Sequence, residues 1–199
     1  MIIGIPKEIK NHEYRVGLTP ESVKRLNAES HNVLVETNAG LGSGFTNQNY
    51  IDAGGRIIEN VDELFNASDL IIKVKEPQMN EVKMIRENQI IYTYLHLAAA
   101  KELTLGLMES NSICIAYVTV TDDNGLLPLL APMSAVAGRM SIQAGAHALE
   151  KNQKGRGLLI GGAPGVDSAN VVILGGGVVG ENAAIIATGM RGKVYVVDK

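Results

Sequence analysis

The chain has little of what several specialised classes of protein require. Among its 199 residues there is one cysteine, Cys114, which excludes a disulfide framework and a cysteine-rich zinc site. Lys and Arg number 18 against 21 Asp and Glu, a net charge of −3, so we expect no nucleic-acid partner. No apolar run approaches the roughly 18 residues of a membrane-spanning helix, so we expect no membrane partner.

Missing motifs narrow the chemistry further. There is no H-E-x-x-H or related spacing, so we expect no metal site. There is no G-x-S-x-G, which argues against a serine hydrolase. Residues 1–8 form an apolar strand pattern followed by charge, without the long apolar run of a signal peptide. With its lone cysteine in an apolar segment, the sequence favours a reducing cytoplasm.

Short apolar runs alternate with helical segments along the first two thirds of the chain. Thr19 before Pro20 predicts a helix start, with threonine as N-cap and proline at the first helical position. The alternation predicts an α/β fold, with a Rossmann-like parallel-sheet domain over residues 1–128. The runs that predict its strands are residues 2–5, 32–36, 56–58, 70–74, 89–95 and 112–118.

Residues 129–199 predict a linker helix and the first βαβ of an NAD-binding Rossmann domain. An apolar loop with two prolines, 126–132, precedes a long helix over 134–150, whose Ala and Gly content suits close packing and a bridge between domains. Residues 157–166 indicate a hairpin-like lead. A strand over 171–174, a helix over 181–190 and a strand over 194–197 follow, both strands apolar enough for burial on two faces.

A glycine fingerprint lies between these two strands. Gly175, Gly177 and Gly180 form a G-x-G-x-x-G turn directly after the first strand. In such a turn the first glycine allows the tight bend, the second lets a pyrophosphate approach the backbone, and the third lets helix and strand pack closely. The helix N-terminus then offers unpaired N–H groups to the phosphates. The pattern predicts dinucleotide binding; the alternative is a glycine-rich turn of another doubly wound domain.

An acid closes the pattern. Asp198 follows the second strand, about 20 residues after the fingerprint, where a carboxylate accepts hydrogen bonds from a ribose diol. A 2′-phosphate would be repelled there. The sequence therefore predicts NAD, rather than NADP, as the cofactor.

Three side chains follow strands at the edge of the sheet where ligands of α/β proteins bind. Arg15 offers a fork for a carboxylate, Lys75 a donor for a carbonyl oxygen, and His96 a proton carrier. Together they suit a 2-oxo or 2-amino acid beside a nicotinamide. Each has a plainer alternative: Arg15 as a solvated charge, Lys75 as a salt-bridged strand end, and His96 as a buried core histidine.

Several segments resemble the alanine dehydrogenase family, and the resemblance runs from Met1 to Lys199. The segments are G-I-P-K-E-I-K at 4–10, R-V at 15–16, T-P at 19–20, V-E at 35–36, A-G-L-G-S-G-F at 39–45, K-V-K-E-P at 73–77, Y-L-H-L-A at 94–98, P-M-S at 132–134, A-G-R-M at 137–140 and the glycine turn.

The resemblance implies NAD-dependent, reversible oxidative deamination of L-alanine to pyruvate and ammonium by a cytoplasmic homohexamer. It implies that Arg15 binds the substrate carboxylate, that Lys75 binds and polarises the substrate, and that His96 donates and accepts the proton. The family positions that contact NAD are matched by Ser134, Val178, Val179 and Asp198.

The resemblance also has limits. The NAD-binding subunit of proton-translocating transhydrogenase is a near relative, but it does not usually keep Lys75 or His96 in these contexts. Val118 stands where the family often has a Glu. The chain ends at Lys199, after the second Rossmann strand. We therefore expect the N-terminal part of an alanine dehydrogenase, which we expect to be inactive by itself. The alternatives are a truncated fragment without activity and an NAD-binding module related to the transhydrogenase subunit.

Overall fold

The computed structural model describes residues 1–199, which form two compact units, Met1–Thr119 and Val120–Lys199. The sequence-based domain limits, 1–128 and 129–199, remain a prediction. None of the helices combines the length and the apolar character that crossing a bilayer requires.

A six-stranded parallel sheet forms the centre of the first unit. The order across the sheet is β3-β2-β1-β4-β5-β6, and every neighbouring pair is parallel. The order reverses direction between β1 and β4, as in a doubly wound fold. The predicted α/β class is confirmed. The strands are β1 (Ile2–Ile5), β2 (Asn32–Glu36), β3 (Arg56–Ile58), β4 (Leu70–Ile72), β5 (Ile90–Thr93) and β6 (Ile113–Ala116).

The helices of this unit are α1 (Pro20–Ala28), α2 (Asn47–Asp52), α3 (Val61–Ala67), α4 (Met79–Val82) and α5 (Lys101–Glu109). The predicted start of α1 is confirmed, because the Thr19 hydroxyl accepts a hydrogen bond from the Ser22 N–H at 3.3 Å. The sequence did not predict α4. Its four residues are too few to show a helical period.

Successive residues of the central strands enter different hydrophobic clusters because strand side chains alternate between the two faces of a sheet. Ile71 packs with Leu64 and Phe65 of α3, whereas Ile72 packs with residues of β1 and β2. The edge strand β6, whose apolar residues 113–115 are typical of a buried strand, is only partly buried. Ile113 and Ile115 share one face and are exposed, whereas Cys114 on the other face is half-buried against the cluster that includes residues of α5.

The second unit contains α6 (Ala131–Ala148), β7 (Asn170–Leu174), α7 (Val178–Gly189) and β8 (Lys193–Val197). The two strands pair in parallel, with Leu174 opposite Val197. The close packing predicted for the glycine-containing helix is confirmed: a Cβ at Gly138 would lie 2.2 Å from the Val179 carbonyl oxygen of α7. The sheet with its two helices is therefore a βαβ unit with α6 packed tightly on its helix.

Four details of this unit correct the sequence-based expectations. Helix α6 begins at Ala131, inside the expected loop, because the first turn of a helix tolerates Pro132. Helix α7 begins at Val178 rather than Glu181. The segment 157–166 contains one isolated antiparallel bridge rather than a hairpin. The strands are not buried on both faces: Leu174 is 82% exposed, because the cluster that contains Ile142 of α6 and Ala183 of α7 covers the face of Ile173 and leaves the opposite face in solvent.

Candidate functional site

The first unit brings its three candidate residues to one edge of the sheet. Arg15 lies in the loop after β1, Lys75 follows β4 and His96 follows β5. These strands are neighbours, and the order reverses between β1 and β4. Such a reversal leaves a crevice at the carboxyl ends of the strands, the usual ligand position in open α/β sheets. Residues separated by up to 81 positions thus follow neighbouring strands at the edge where substrate chemistry was predicted.

A carboxylate holds the Arg15 side chain. Arg15 donates from Nε to Glu13 Oε1 at 2.8 Å and from Nη2 to Oε2 at 2.6 Å. The hydrogen bonds from Arg15 lower the pKa of Glu13 to about 2, and the Lys75 charge contributes to the same shift. These hydrogen bonds hold the Arg15 guanidinium in one orientation, while its side chain remains 47% exposed to solvent.

The glycine loop that follows β2 supports this arginine. Ser43 Oγ donates to the Tyr14 carbonyl oxygen at 3.1 Å, and a Cβ at Gly42 would lie 2.4 Å from that same oxygen. A side chain at Gly42 would thus push the Arg15 loop away. A cavity of about 210 Å³ lies between the two loops, lined by Lys7, Glu8, Glu13, Tyr14, Arg15 and Asn38 among others.

The backbone at Lys75 is fixed on two sides. Thr93 Oγ1 donates to the Lys75 carbonyl oxygen at 2.8 Å, and Glu8 Oε1 accepts from the N–H groups of Val74 and Lys75 at 2.6 and 3.4 Å. The Lys75 ammonium group forms none of the ion pairs in the structure, which contradicts its alternative as a salt-bridged strand end. Because it forms no ion pair, this ammonium group is available for a ligand, and the hydrogen bonds to its backbone hold the residue in place.

His96 is exposed and has left-handed backbone angles, with φ 50° and ψ 37°. The alternative of a buried core histidine is therefore wrong. Its ring stacks against Tyr94, with centroids 6.3 Å apart and planes inclined by 19°. A cavity of about 400 Å³ runs from His96 along Leu97, Ala116, Val118 and Thr119. Val118, where the family often has a Glu, thus lies on the wall of a cavity beside His96.

A buried charge cluster that no sequence pattern predicted adjoins the cavity beside Arg15, because Glu8 belongs to both. Lys73 is 1% exposed, and its Nζ lies 2.6 Å from Glu81 Oε1 and 3.5 Å from Glu8 Oε2. Burial raises the pKa of Glu8, while the Lys73 charge opposes that rise. A lysine and an acid this far apart in sequence show no local pattern. The only signal was K-V-K-E-P itself, in which Lys73 occupies a buried position directly after β4.

The glycine turn of the second unit has the geometry that dinucleotide binding needs. Gly175 has φ +98°, a left-handed conformation that favours glycine. A Cβ at Gly177 would meet nothing within 4 Å, so the backbone is open to a ligand, whereas a Cβ at Gly180 would lie 1.9 Å from the Gly175 carbonyl oxygen. No side chain caps the N-terminus of α7. The N–H groups of its first turn therefore remain for phosphate oxygens.

A cavity of about 500 Å³ beside this turn collects the other predicted cofactor contacts. Ser134 of α6 and the first residues of α7 line it; the predicted contacts among its lining residues are Ser134, Gly175, Gly177, Val178, Val179 and Gly180.

Asp198 accepts hydrogen bonds through Oδ2 from the Gly176 N–H at 2.6 Å and through Oδ1 from the Lys199 N–H at 2.7 Å. These bonds lower the pKa of Asp198. An open backbone, free helix N–H groups and an ionised acid fit a dinucleotide. No group of three His, Cys, Asp or Glu residues is arranged to hold a metal ion.

The fold and these features define an α/β protein with a dinucleotide-type βαβ turn. Residues 4–137 match the family described as alanine dehydrogenase/PNT, N-terminal domain, and residues 141–199 match alanine dehydrogenase/PNT, C-terminal domain. The chain belongs to the alanine dehydrogenase/PNT family.

Individual relatives agree with this assignment. The alanine dehydrogenase of Halomonas elongata is 54% identical over 199 residues, which are 100% of this chain and 54% of that protein. A solved L-alanine dehydrogenase is 50% identical, with a TM-score of 0.93 over 100% of this chain and 55% of its own. A transhydrogenase from Sinorhizobium meliloti is 25% identical, with a TM-score of 0.83 over 100% of this chain and 59% of its own. The chain spans about half the length of the curated relatives it matches.

Proposed function

We propose that this chain carries the substrate side and the pyrophosphate turn of an NAD-dependent alanine dehydrogenase, which converts L-alanine reversibly to pyruvate and ammonium. The observation that supports the proposal is the strand order, in which Arg15, Lys75 and His96 follow three neighbouring parallel strands. They supply what a small 2-oxo acid requires: a fork for its carboxylate, a cation for its carbonyl oxygen and a group that exchanges a proton.

Each residue has one task in this proposal. Arg15 binds the carboxylate of alanine or pyruvate. Lys75 lies close enough for its charge to affect Glu13, the partner of Arg15, and it stabilises negative charge that develops on the substrate oxygen. His96 accepts the proton released during deamination and returns it in the opposite direction, because an imidazole carries protons near neutral pH. NAD, held by the open backbone at Gly177 and the N-terminus of α7, would supply the hydride acceptor for this reaction.

The second unit holds the cofactor in this proposal. The first turn of α7 and the open backbone at Gly177 bind the pyrophosphate, with Ser134 and the side chains of Val178 and Val179 on the cavity wall. Asp198 binds the ribose diol and repels a 2′-phosphate, so that NAD is used rather than NADP. We extend the proposal to the cytoplasmic homohexamer that the family resemblance implies.

A transhydrogenase-like NAD-binding module is the second candidate, supported by the similarity to the Sinorhizobium meliloti protein. Such a module binds NAD but has no need of an amino acid. Lys75 and His96 favour the dehydrogenase, since the transhydrogenase subunit does not usually keep them in these contexts. A response to alanine or pyruvate at Arg15 therefore separates the two candidates.

A hybrid enzyme tests the proposal. In it, residues 1–199 of this chain replace the aligned half of the Halomonas elongata alanine dehydrogenase, to which they are 54% identical. We expect alanine-dependent formation of NADH. A folded hybrid that binds NADH and remains inactive with alanine would support the binding-module candidate. A second hybrid with Arg15→Ala serves as the control, and it should lose mainly its affinity for alanine and pyruvate.

A further inference from the structure

The contact between Glu13 and Arg15 uses one particular edge of the guanidinium group. A guanidinium has a side edge, formed by Nε and one Nη, and an end formed by the two Nη groups. Glu13 binds the side edge, because its two oxygens accept from Nε at 2.8 Å and from Nη2 at 2.6 Å. Glu13 thus leaves Nη1 and the second hydrogen of Nη2 unused, and these two donors can still bind a carboxylate in bidentate fashion.

The burial and hydrogen bonds of Glu13 indicate that it remains bound to Arg15 when a ligand carboxylate arrives. The Glu13 side chain is 6% exposed, whereas that of Arg15 is 47% exposed. Glu13 Oε1 also accepts from the Arg15 backbone N–H at 3.0 Å, so three donors of one residue hold this carboxylate. The hydrogen bonds from Arg15 keep the pKa of Glu13 at about 2, and it therefore remains ionised at neutral pH. A carboxylate held by three hydrogen bonds keeps the Arg15 side chain in one orientation.

We propose that Glu13 is a positioning residue that holds the side edge of Arg15 and presents its end to the carboxylate of a 2-oxo or 2-amino acid. The inference rests on the proposed function, because it takes Arg15 as the carboxylate-binding group. Glu13 does not touch the substrate in this arrangement. It removes the rotational freedom of a long side chain before the substrate arrives, so less entropy is lost on binding.

Pyruvate titration of the wild-type chain and of Glu13→Gln tests the proposal. We expect Glu13→Gln to bind pyruvate roughly ten- to hundredfold more weakly, because the amide cannot accept from both donors. Glu13→Asp keeps the charge and should recover part of the affinity. Glu21→Gln is the matched control, since Glu21 accepts from Arg25 Nε at 3.3 Å on the exposed surface of α1; its pyruvate affinity should equal that of the wild type.

A spectroscopic signal follows the contact itself. The Arg15 Nε–H group should give a protected side-chain signal in a ¹H–¹⁵N correlation spectrum, and pyruvate should leave it protected, because the side edge stays on Glu13. In Glu13→Gln the protection should fall. In an Arg15→Ala background, Glu13→Gln should cause no additional loss of pyruvate affinity, since its effect passes through Arg15.

The outcomes separate this inference from the proposed function. Unchanged pyruvate affinity in Glu13→Gln, or loss of Nε–H protection when pyruvate binds the wild type, would overturn the positioning role. The second result would show that the substrate displaces Glu13. A wild-type chain in which Arg15 does not respond to pyruvate would instead contradict the proposed carboxylate site, and the inference about substrate presentation with it.

Discussion

Asp198 Oδ2 accepts a hydrogen bond from the Gly176 N–H at 2.6 Å, which ties the end of β8 to the glycine turn after β7. A Cβ at Gly176 would lie 2.7 Å from the same oxygen. The acid proposed to bind the ribose therefore also fixes the backbone proposed to bind the pyrophosphate. Both parts of the proposed dinucleotide site therefore depend on one carboxylate.

Replacing Asp198 should change the choice of cofactor. In Asp198→Ser we expect the discrimination against NADPH to fall by about fivefold, because one charge–charge repulsion at contact distance in water is worth about 1 kcal/mol. The measurement is the dissociation constant of NADH and of NADPH by calorimetry. Asp167→Ser is the control, since Asp167 is exposed and its carboxylate lies 3.9 Å from Lys193 Nζ rather than on the turn. Equal discrimination in both variants would mean that Asp198 does not face the 2′ position.

Alanine substitutions at two glycines of the fingerprint should have different effects, one on NADH affinity and the other on stability. Gly177→Ala should keep the melting temperature but lose NADH affinity, because its Cβ meets no protein atom and occupies the space proposed for pyrophosphate. Gly180→Ala should destabilise the fold by about 1–3 kcal/mol, the usual cost of overpacking, since its Cβ would lie 1.9 Å from the Gly175 oxygen. Gly189→Ala, with open space around its Cβ, is the control for both. Normal NADH affinity in Gly177→Ala would remove the turn from the cofactor site.

The buried cluster around Lys73 should be sensitive to loss of its cation. Lys73→Ala leaves Glu8 and Glu81 buried without their partner, and we expect a loss of about 3–5 kcal/mol in the free energy of unfolding. Urea denaturation measures it. Lys24→Ala provides a comparison, because Lys24 is exposed on α1 and forms no ion pair. A loss no larger than that of Lys24→Ala would show that the cluster tolerates an unpaired carboxylate.

The pair formed by Glu13 and Arg15 should stabilise the protein less as the pH falls. The folded pKa of Glu13 is about 2, below its ordinary value of 4.5, so the unfolded chain binds the proton more tightly. The contribution is therefore complete above about pH 4.5 and is lost as the pH falls towards about 2. The difference in unfolding free energy between wild type and Glu13→Gln, measured from neutral pH to about pH 3, should shrink below about 4.5. A difference that stays constant would contradict this ionic account.

Local sequence patterns were enough to predict the strands of the first unit and the glycine turn between β7 and α7. The β-branched runs gave all six strands of the first unit, Thr19 gave the start of α1, and G-x-G-x-x-G gave the β7–α7 turn. Contacts made by distant residues could not be found in this way. The burial of Lys73 against Glu8 and Glu81 depends on tertiary packing, as does the exposure of His96, whose apolar neighbours Leu95 and Leu97 equally suited a core position. The exposure of Leu174 reflects the absence of a helix on its face of the sheet, which no local pattern encodes.

The most direct test is the turnover of the hybrid enzyme with His96→Ala, measured as alanine-dependent NADH formation. If His96 carries the proton at a site built with Arg15 and Lys75, turnover should fall by roughly 10²- to 10⁴-fold, the usual contribution of a general acid–base group. NADH affinity and melting temperature should remain those of the unmodified hybrid, because the exposed His96 side chain contributes little to packing. Near-normal turnover in a folded His96→Ala hybrid would contradict the proposed substrate site.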